Sequence, residues 1–360
     1  MTDLPDGSLE AVIAARTRIA HVDGRRGIAL VRGYALPAIA ARGSYDDAAY
    51  LVLRGELPDA TQRASYLALL ASCAPLDEET RSLARGLAAN RPHADALAAA
   101  IPLAEDTVAR ECTDTFERVV RVLARVPSVC AAVTGVPDPP ASWSYAHRAL
   151  AALGAKRDDA PAVAAFETLL CLESEHGLSA STFACRVAAS SGANAGPCLG
   201  AAVATLSGPR HGGATAQALG LLREASVAGD LGAFVRARFD ARARLPGFGH
   251  RIYKVADPRV PPLRAVMHAM GNAPLLTIAE GLESNGAPLY GSKGVHANID
   301  LFGAALLDAL GVAPAAFVAA FALGVACGWL AHWAEQRETG RLIRPDSAYE
   351  GPPARPLPAR

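Results

Sequence analysis

The chain has 360 residues, which is enough to bury a large core in one domain or two. Its 35 basic and 35 acidic residues balance, so no overall field attracts nucleic acid or an anionic membrane, and any anion site has to be local. Seven scattered cysteines without a Cys-x-x-Cys pair favour a reduced, cytoplasmic protein without structural zinc.

In chain order, the N-terminal residues lack the basic start and apolar run of a signal peptide, so we do not expect export. Asp23 and Gly24 form a turn signal between short apolar runs and predict a β-hairpin. After the hairpin, apolar residues recur at spacings of three and four, which predicts amphipathic helices. Such segments are DDAAYLVLRGEL, DATQRASYLALLASCA, SLARGLAANRPHADALAAAIPLA and FERVVRVLARV. The predicted fold class is all-α.

Breaks rich in proline or charge, at residues 136–142 and 155–161, predict surface connections between helices. Residues 311–329 are uncharged and just long enough to span a membrane. Their alanine, glycine and valine content and the charged sequence that follows favour a buried core or interface helix instead. The proline-rich residues 344–360 predict an extended tail, which either frays or lies across a partner subunit.

The stretch LPGFGHRIYKVADPR, residues 245–259, places His250 among glycines that let the backbone turn and leave room for a ligand. Arg259 ends this stretch, and Arg344 lies in GRLIRPDS. Each guanidinium can bind a carboxylate through two parallel hydrogen bonds. Any of these residues alone is more often an ordinary surface residue, but together they indicate a site for a small anion.

Three further residues have similarly unusual surroundings: His176 in SEHGLSAST, His211 in GPRHGGA and Asp300 in KGVHANIDLFG. The glycines after His211 predict a helix end, where a neutral imidazole can donate a hydrogen bond to a carbonyl that becomes an enolate. Asp300 precedes an apolar run, where it is either a helix N-cap or, if desolvated, a base that takes a proton from carbon. Three histidines and one carboxylate suggest one assembled site.

Five motifs, in this order and at these separations, resemble those of the citrate synthase family: HGLSASTF, GPRHGGA, PGFGHRIYKVADPR, NIDLFG and GWLAHWAEQRETGRLIRP. The segments VDGRRGIALVRGY and SYDDAAYLVLRGELP are similar to the family's opening segments. The resemblance spans nearly the whole chain and implies a two-domain, almost wholly helical homodimer. In it, residues 1–212 and 319–360 form the large domain and its tail, and residues 213–318 form a small mobile domain.

The resemblance also implies a transferase of the tricarboxylic acid cycle. This activity is a Claisen-type condensation of acetyl-CoA with oxaloacetate or a related 2-oxo acid, followed by thioester hydrolysis. It needs no permanently bound cofactor and no metal, and its partners are small-molecule substrates rather than nucleic acid or membrane. By motif match, Asp300 resembles the base that removes the acetyl α-proton, His211 the donor that stabilises the enol, and His250 the group that polarises and protonates the ketone.

The same motif match makes His176, Arg259 and Arg344 the residues that hold the oxo acid. Arg344 would reach the site from the partner subunit, so the resemblance implies a homodimer with shared active sites. This role would explain why the C-terminal tail is extended.

Three positions depart from the family pattern. Val325, in GVACGW, stands in place of an arginine that binds a substrate carboxylate, and Ser179 and Thr215 stand where asparagine is common. We therefore expect an intact acyl-CoA half and an altered oxo-acid half. Either another arginine, of which Arg210 and Arg337 are the nearest in the motifs, has taken over the missing contact, or the oxo acid presents an apolar group to Val325.

Three other functions remain open. A 2-methylcitrate synthase would use propionyl-CoA, because one methylene is weakly discriminated. A non-catalytic acyl-CoA-binding relative would have no need of a carbon base. A metal-dependent hydrolase would use the histidines and Asp300 as ligands, but the sequence has no His-Glu-x-x-His or His-x-His spacing, and the arginines would repel a cation.

Overall fold

The computed structural model describes residues 12–357, which form seventeen α-helices and one small sheet and so confirm the all-α class. The helices are α1 Leu36–Ala41, α2 Tyr45–Arg54, α3 Ala60–Cys73, α4 Glu78–Ala88, α5 His93–Ala100, α6 Thr107–Glu111, α7 Thr115–Thr134, α8 Tyr145–Ala152, α9 Ala160–Glu173, α10 Ala180–Ser190, α11 Ala195–Leu206, α12 Ala214–Ser226, α13 Leu231–Asp240, α14 Val260–Met270, α15 Pro274–Tyr290, α16 Ile299–Ala309 and α17 Phe317–Thr339. Short 3-10 turns occupy Ile101–Ala104, Gly291–Lys293 and Pro314–Ala316.

The small sheet begins with the predicted hairpin. Strands β1 (Ala20–Asp23) and β2 (Ile28–Val31) pair antiparallel, and β3 (Tyr34–Ala35) adds a short third strand. The Asp23 carboxylate accepts hydrogen bonds from the backbone N–H groups of Arg25 and Arg26, at 3.0 and 3.1 Å. This local side-chain contact stabilises the turn and explains why the two-residue signal was sufficient to predict it.

Helix starts follow local capping signals. At α3, Asp59 and Gln62 form a capping box, in which each side chain accepts the other residue's backbone N–H. At α7, the Asp114 side chain accepts hydrogen bonds from the backbone of the first turn. Residues 136–142 connect α7 to α8, as predicted, and residues 155–161 run into the first turn of α9. Pro161 fits there because first-turn N–H groups have no intrahelical partner.

The apolar stretch at residues 311–329 forms the 3-10 turn at Pro314–Ala316 and the first half of α17. Within residues 12–357, one helical stretch, Pro314–Thr339, is long and apolar enough to cross a membrane, but 78% of its most apolar window is buried inside the fold. The prediction of a buried helix is therefore confirmed. Gly328 permits this packing, because a Cβ there would lie 2.5 Å from a carboxylate oxygen of Glu175.

Two groups of helices meet around the candidate site. The long helices α7, α9, α10, α11 and α17 pack on one another, while α12, α13, α15 and α16 form a second group. Helices α14 and α16 both contact α9, so they join the two groups. The expected division at residues 212 and 213 falls just before α12, and that at 318 and 319 falls in the first turn of α17. The division into a large and a small mobile domain stays a prediction.

The C-terminal residues 340–357 form neither helix nor strand, as their proline content predicts. Most of them are exposed. The tail is fastened near its start, where the backbone N–H of Ile343 donates to the Ser190 hydroxyl at 3.0 Å. The rest of the described tail is available for contacts outside its own chain.

Candidate active site

His250 lies in the loop between α13 and α14. Gly247 and Gly249 have φ angles of +83° and +78°, a region that favours glycine. A Cβ on Gly247 would also lie 2.8 Å from the Cβ of Leu301. The glycines that drew attention to His250 therefore serve the backbone turn and its packing against α16.

The backbone fixes the orientation of the His250 ring. The N–H groups of Ile252 and Tyr253 both donate to His250 Nδ1 at 3.1 Å. Burial, followed by the charge of Arg259, lowers the pKa of His250 to about 4. The ring is therefore neutral at pH 7, with its proton on Nε2, where it can donate to a substrate carbonyl.

His176 packs beside His250 in a small aromatic cluster. The two imidazole ring centres are 5.4 Å apart and nearly perpendicular. Tyr253 stacks on His250 at 4.7 Å, and its hydroxyl lies 2.7 Å from His176 Nε2. Burial, the Arg259 charge and His250 all lower the pKa of His176. The structure thus brings two of the predicted histidines together as neutral hydrogen-bonding groups.

Arg259 is buried, with 3% of its surface exposed, and is held by two carboxylates of its own chain. Its Nε and Nη2 donate to the two oxygens of Asp257 at 3.0 and 2.9 Å, and its Nη1 donates to Glu173 Oε1 at 2.9 Å. Burial alone would raise the pKa of Asp257, but the Arg259 guanidinium outweighs it and lowers that pKa to about 2. Three of the five N–H donors of the guanidinium are therefore engaged within the protein.

Glu173 is the last residue of α9 and faces this ion pair. Burial raises its pKa to about 7, Arg259 opposes that shift, and Asp300 and Asp257 add to it. Helix α17 passes close behind, because a Cβ on Gly324 would lie 3.1 Å from the Cβ of Glu173. Glu173 thus lies between Arg259 and the stretch of α17 that carries Val325.

Asp300 lies in the first turn of α16. The helix N-cap is Asn298, whose side chain accepts the backbone N–H of Asp300 at 3.0 Å, so Asp300 itself is not the cap. Thr215, fully buried, donates its hydroxyl to Asp300 Oδ1 at 2.6 Å. Burial raises the pKa of Asp300, while Thr215 and Arg259 oppose the shift. The desolvation required of a base is therefore present.

His211 lies in the tight turn between α11 and α12. Added Cβ atoms would lie 2.8 Å from the Leu206 carbonyl oxygen at Gly212 and 2.9 Å from the Pro209 Cα at Gly213. The imidazole Nε2 lies 3.0 Å from Ser181 Oγ, and burial lowers its pKa. The same turn starts α12 and so also sets Thr215, the hydrogen-bond donor to Asp300.

The loops that carry His250 and Asp300 are joined by backbone contacts. Gly249 donates to the His296 carbonyl at 2.8 Å, and Asn298 Nδ2 donates to the Gly249 carbonyl at 2.6 Å. The turn of the β1–β2 hairpin also contacts the His250 loop, because the Gly24 carbonyl accepts the Lys254 N–H at 2.9 Å. His250 and Asp300 are therefore held on one rigid frame.

The structure does not bring Arg344 to this frame within its own chain. Its side chain is 79% exposed in the C-terminal tail, and its guanidinium lies 4.0 Å from Asp346. Of the two arginines offered as replacements at Val325, Arg337 is twelve residues further along α17, or about 18 Å at 1.5 Å per residue. Arg210 is exposed beside His211. Val325 itself is partly buried and packs against the core.

Three residues of the site were missed by sequence reasoning: Glu173, Tyr253 and Asp257. Tyr253 and Asp257 lie inside the stretch that drew attention to His250, so their proximity was a usable signal. Glu173 carried none, since its partner Arg259 is 86 residues away in the chain. Within residues 12–357, no three His, Cys, Asp or Glu side chains are arranged to hold a metal ion.

Neutral histidines, a buried arginine and a desolvated aspartate on a helical frame define a site suited to proton abstraction beside a carbonyl. A family model for the citrate synthase C-terminal domain matches residues 8–346. Citrate synthase from Acidithiobacillus ferridurans is 30% identical, covering 95% of this chain and 94% of its own. Citrate synthase from Synechocystis sp. is 31% identical, and the match covers 95% of this chain and 90% of that protein.

Solved structures agree with these sequence matches. A ternary complex of carboxymethyl coenzyme A and oxaloacetate with citrate synthase from Thermoplasma acidophilum superposes with a TM-score of 0.84 at 29% identity. The match covers 98% of this chain and 97% of that chain. The chain therefore belongs to the citrate synthase family.

Proposed function

We propose that the protein condenses acetyl-CoA with a 2-oxo acid and then hydrolyses the thioester to release free CoA. The observation that carries this proposal is Asp300, a partly buried carboxylate with a raised pKa that is oriented by Thr215. A purely structural carboxylate gains nothing from desolvation, whereas a base that removes a proton from carbon becomes stronger. Thermoplasma acidophilum citrate synthase, solved with a CoA derivative and oxaloacetate, supports the two substrate classes.

In this reaction Asp300 takes an α-proton from the acetyl group, and neutral His211 stabilises the resulting enolate oxygen by donating a hydrogen bond. The enolate carbon forms a bond to the ketone carbon of the oxo acid, the ketone π bond breaks, and its oxygen takes a proton from His250 Nε2. Water then cleaves the thioester and CoA leaves as the thiol. His250 can fill this role because its Nδ1 accepts two backbone hydrogen bonds, which leaves the proton on Nε2.

Several further features belong to the same proposal. His176 and Arg259 hold the carboxylate next to the ketone, and Arg344 arrives from a partner subunit of a homodimer. Its exposure on the tail of its own chain supports this placement. Residues 213–318 close over the substrates. The seven free cysteines support a reduced cytoplasmic location, and a step of the tricarboxylic acid cycle is the corresponding pathway role.

The test follows CoA thiol release by a chromogenic thiol reagent when acetyl-CoA and a panel of 2-oxo acids are mixed with the protein. Asp300→Asn should abolish the release. Asp308→Asn, in the same helix but paired with the surface residue Arg223, is the matched control and should retain it. Full activity in Asp300→Asn would remove Asp300 from the base role. Acetyl-CoA binding without thiol release for any oxo acid would favour a non-catalytic relative.

Propionyl-CoA is the second candidate acyl donor, which would make the product a 2-methylcitrate when oxaloacetate is the acceptor. A single methylene changes binding by only about 1–3 kcal/mol. Running the same assay with both acyl-CoAs compares their kcat/KM values directly.

A further inference from the structure

Glu173 is a buried carboxylate that the proposed reaction does not use. Its side chain is 13% exposed, and the two residues of the adjoining ion pair, Arg259 and Asp257, are 4% and 2% exposed. Glu173 Oε1 accepts from Arg259 Nη1 at 2.9 Å, on a guanidinium whose Nε and Nη2 are already bound by Asp257. The single buried cation of this group is thus matched by two carboxylates before any substrate binds.

The charges around this position disfavour a second anionic group. Asp300 is close enough to Glu173 to add to the rise in its pKa, so a third carboxylate lies near the two that bind the guanidinium. His176 and His250 bring no compensating charge, because burial lowers the pKa of both imidazoles. Even with an arginine from a partner subunit, the carboxylates would outnumber the cations.

Helix α17 passes directly behind Glu173. The close approach of Gly324 to Glu173 fixes α17 against the end of α9, and Val325 is the next residue on α17. Val325 packs with the core and has no donor to offer. Arg337 lies about 18 Å further along the same helix and cannot reach this point within the chain. By the motif match, Val325 takes the place of the family's carboxylate-binding arginine, so a substrate group directed here would find no arginine of α17 to bind.

We propose that Glu173 is a specificity-determining residue that, together with Val325, excludes a second substrate carboxylate. The acceptor is a 2-oxo acid with one carboxylate and an apolar remainder, rather than a dicarboxylate. This inference rests on the proposed function and changes only the acceptor. The new bond still joins the acyl α-carbon to the ketone carbon, and water still cleaves the thioester.

The test compares oxaloacetate with 2-oxobutyrate, in which a methyl group replaces the distal carboxylate. At pH 8 Glu173 is ionised, since its pKa is about 7. Wild-type kcat/KM for CoA release should favour 2-oxobutyrate by about tenfold or more. Glu173→Gln keeps the size and the acceptor oxygen but removes the charge, so the preference should move toward oxaloacetate by about tenfold.

Glu105→Gln is the matched control. Glu105 is a buried glutamate paired with Arg118 at 2.6 Å, away from the active site, so its loss reports any general effect of breaking a buried ion pair. The acceptor preference should be unchanged in this variant. A wild type that prefers oxaloacetate, or a Glu173→Gln variant with the wild-type preference, would overturn the inference.

Binding in the Asp300→Asn background separates this inference from the proposed function. Calorimetry there measures oxo-acid affinity without turnover, and 2-oxobutyrate should bind more tightly than oxaloacetate until Glu173→Gln is added. Absence of CoA release from wild type with every acid would count against the proposed function alone. Tighter binding of oxaloacetate than of 2-oxobutyrate would count against the role of Glu173 alone.

Discussion

The acyl side and the oxo-acid side of the candidate site are built differently. On the acyl side, Asp300 and His211 are each desolvated and each held by one hydroxyl, from Thr215 and Ser181 respectively. On the oxo-acid side, Arg259 is enclosed by carboxylates. On the proposed acyl side, Asp300 and His211 are thus suited to proton transfer. On the proposed oxo-acid side, Arg259 is already paired with carboxylates of the protein itself.

Motif matching identifies candidate catalytic residues, whereas the charges around Arg259 bear on which acceptor can bind. Asp300 and His211, which resemble catalytic groups, are desolvated and hydrogen-bonded, as the proposed proton transfers require. Glu173 and Val325 would determine which acceptor charge the site accepts. Neither is among the residues to which the motif match assigned a catalytic or binding role. Four experiments can test whether the proposed acyl and oxo-acid sides differ in charge and desolvation.

The largest effect concerns Arg344, which the oxo-acid side lacks within its own chain. Arg344→Ala and Asp300→Asn should each be inactive. When the two are mixed and subunits exchange, half the dimers are mixed, and one site in each has both residues intact. About a quarter of the wild-type rate should therefore return. CoA release measures this, and stable mixed dimers without activity would contradict the shared site.

The second prediction compares folding stability on the two sides. Arg259→Ala leaves Asp257 and Glu173 without their shared cation in a largely buried setting, which should lower the free energy of unfolding by about 3–5 kcal/mol. Asp300→Asn removes a carboxylate whose ionised form is penalised by burial, so stability at pH 8 should be unchanged or higher. Urea denaturation at pH 8 measures both. Equal losses of unfolding free energy in the two variants would show that the two sides do not differ in this way.

The third prediction concerns Val325. Val325→Arg in the Glu173→Gln background should raise kcat/KM for oxaloacetate by about 30-fold, which corresponds to the low end, ~2 kcal/mol, of a buried arginine–carboxylate contact. In the wild-type background the gain should be smaller, because Glu173 would pair with the new guanidinium. A double-mutant cycle measures this coupling. Val325→Leu is the apolar control, and additive effects would show that Glu173 and position 325 act separately.

The smallest effect concerns Thr215. Its hydroxyl stabilises the ionised form of Asp300, so Thr215→Val should raise the pKa of Asp300 further. The base would then stay protonated to higher pH, and the acid limb of the kcat profile should move upward by about one pH unit. Thr215→Ser keeps the hydroxyl and should restore the wild-type limb. An unmoved limb in Thr215→Val would mean that the hydrogen bond does not tune the base.

Features that depend on neighbouring residues could be predicted from the amino-acid sequence. The spacing of apolar residues predicted the helices, Asp23 and Gly24 predicted the hairpin turn, and ordered motifs identified the family. These signals are local, because helix periodicity, capping and turn chemistry act over a few residues. The glycines beside His250 were also readable, although they proved to serve the backbone turn more than the ligand.

Which charges meet, and how strongly each is desolvated, depends on the packing of residues that are distant in the chain. Asn298 rather than Asp300 caps α16, Thr215 reaches Asp300 across 85 residues, and Glu173 reaches Arg259 across 86. A pKa depends on burial and on charges within a few ångströms, and the packing of distant helices sets both. Sequence patterns therefore predicted candidate residues for the chemistry, whereas the charges that meet beside Arg259 depended on where α9 ends against α17.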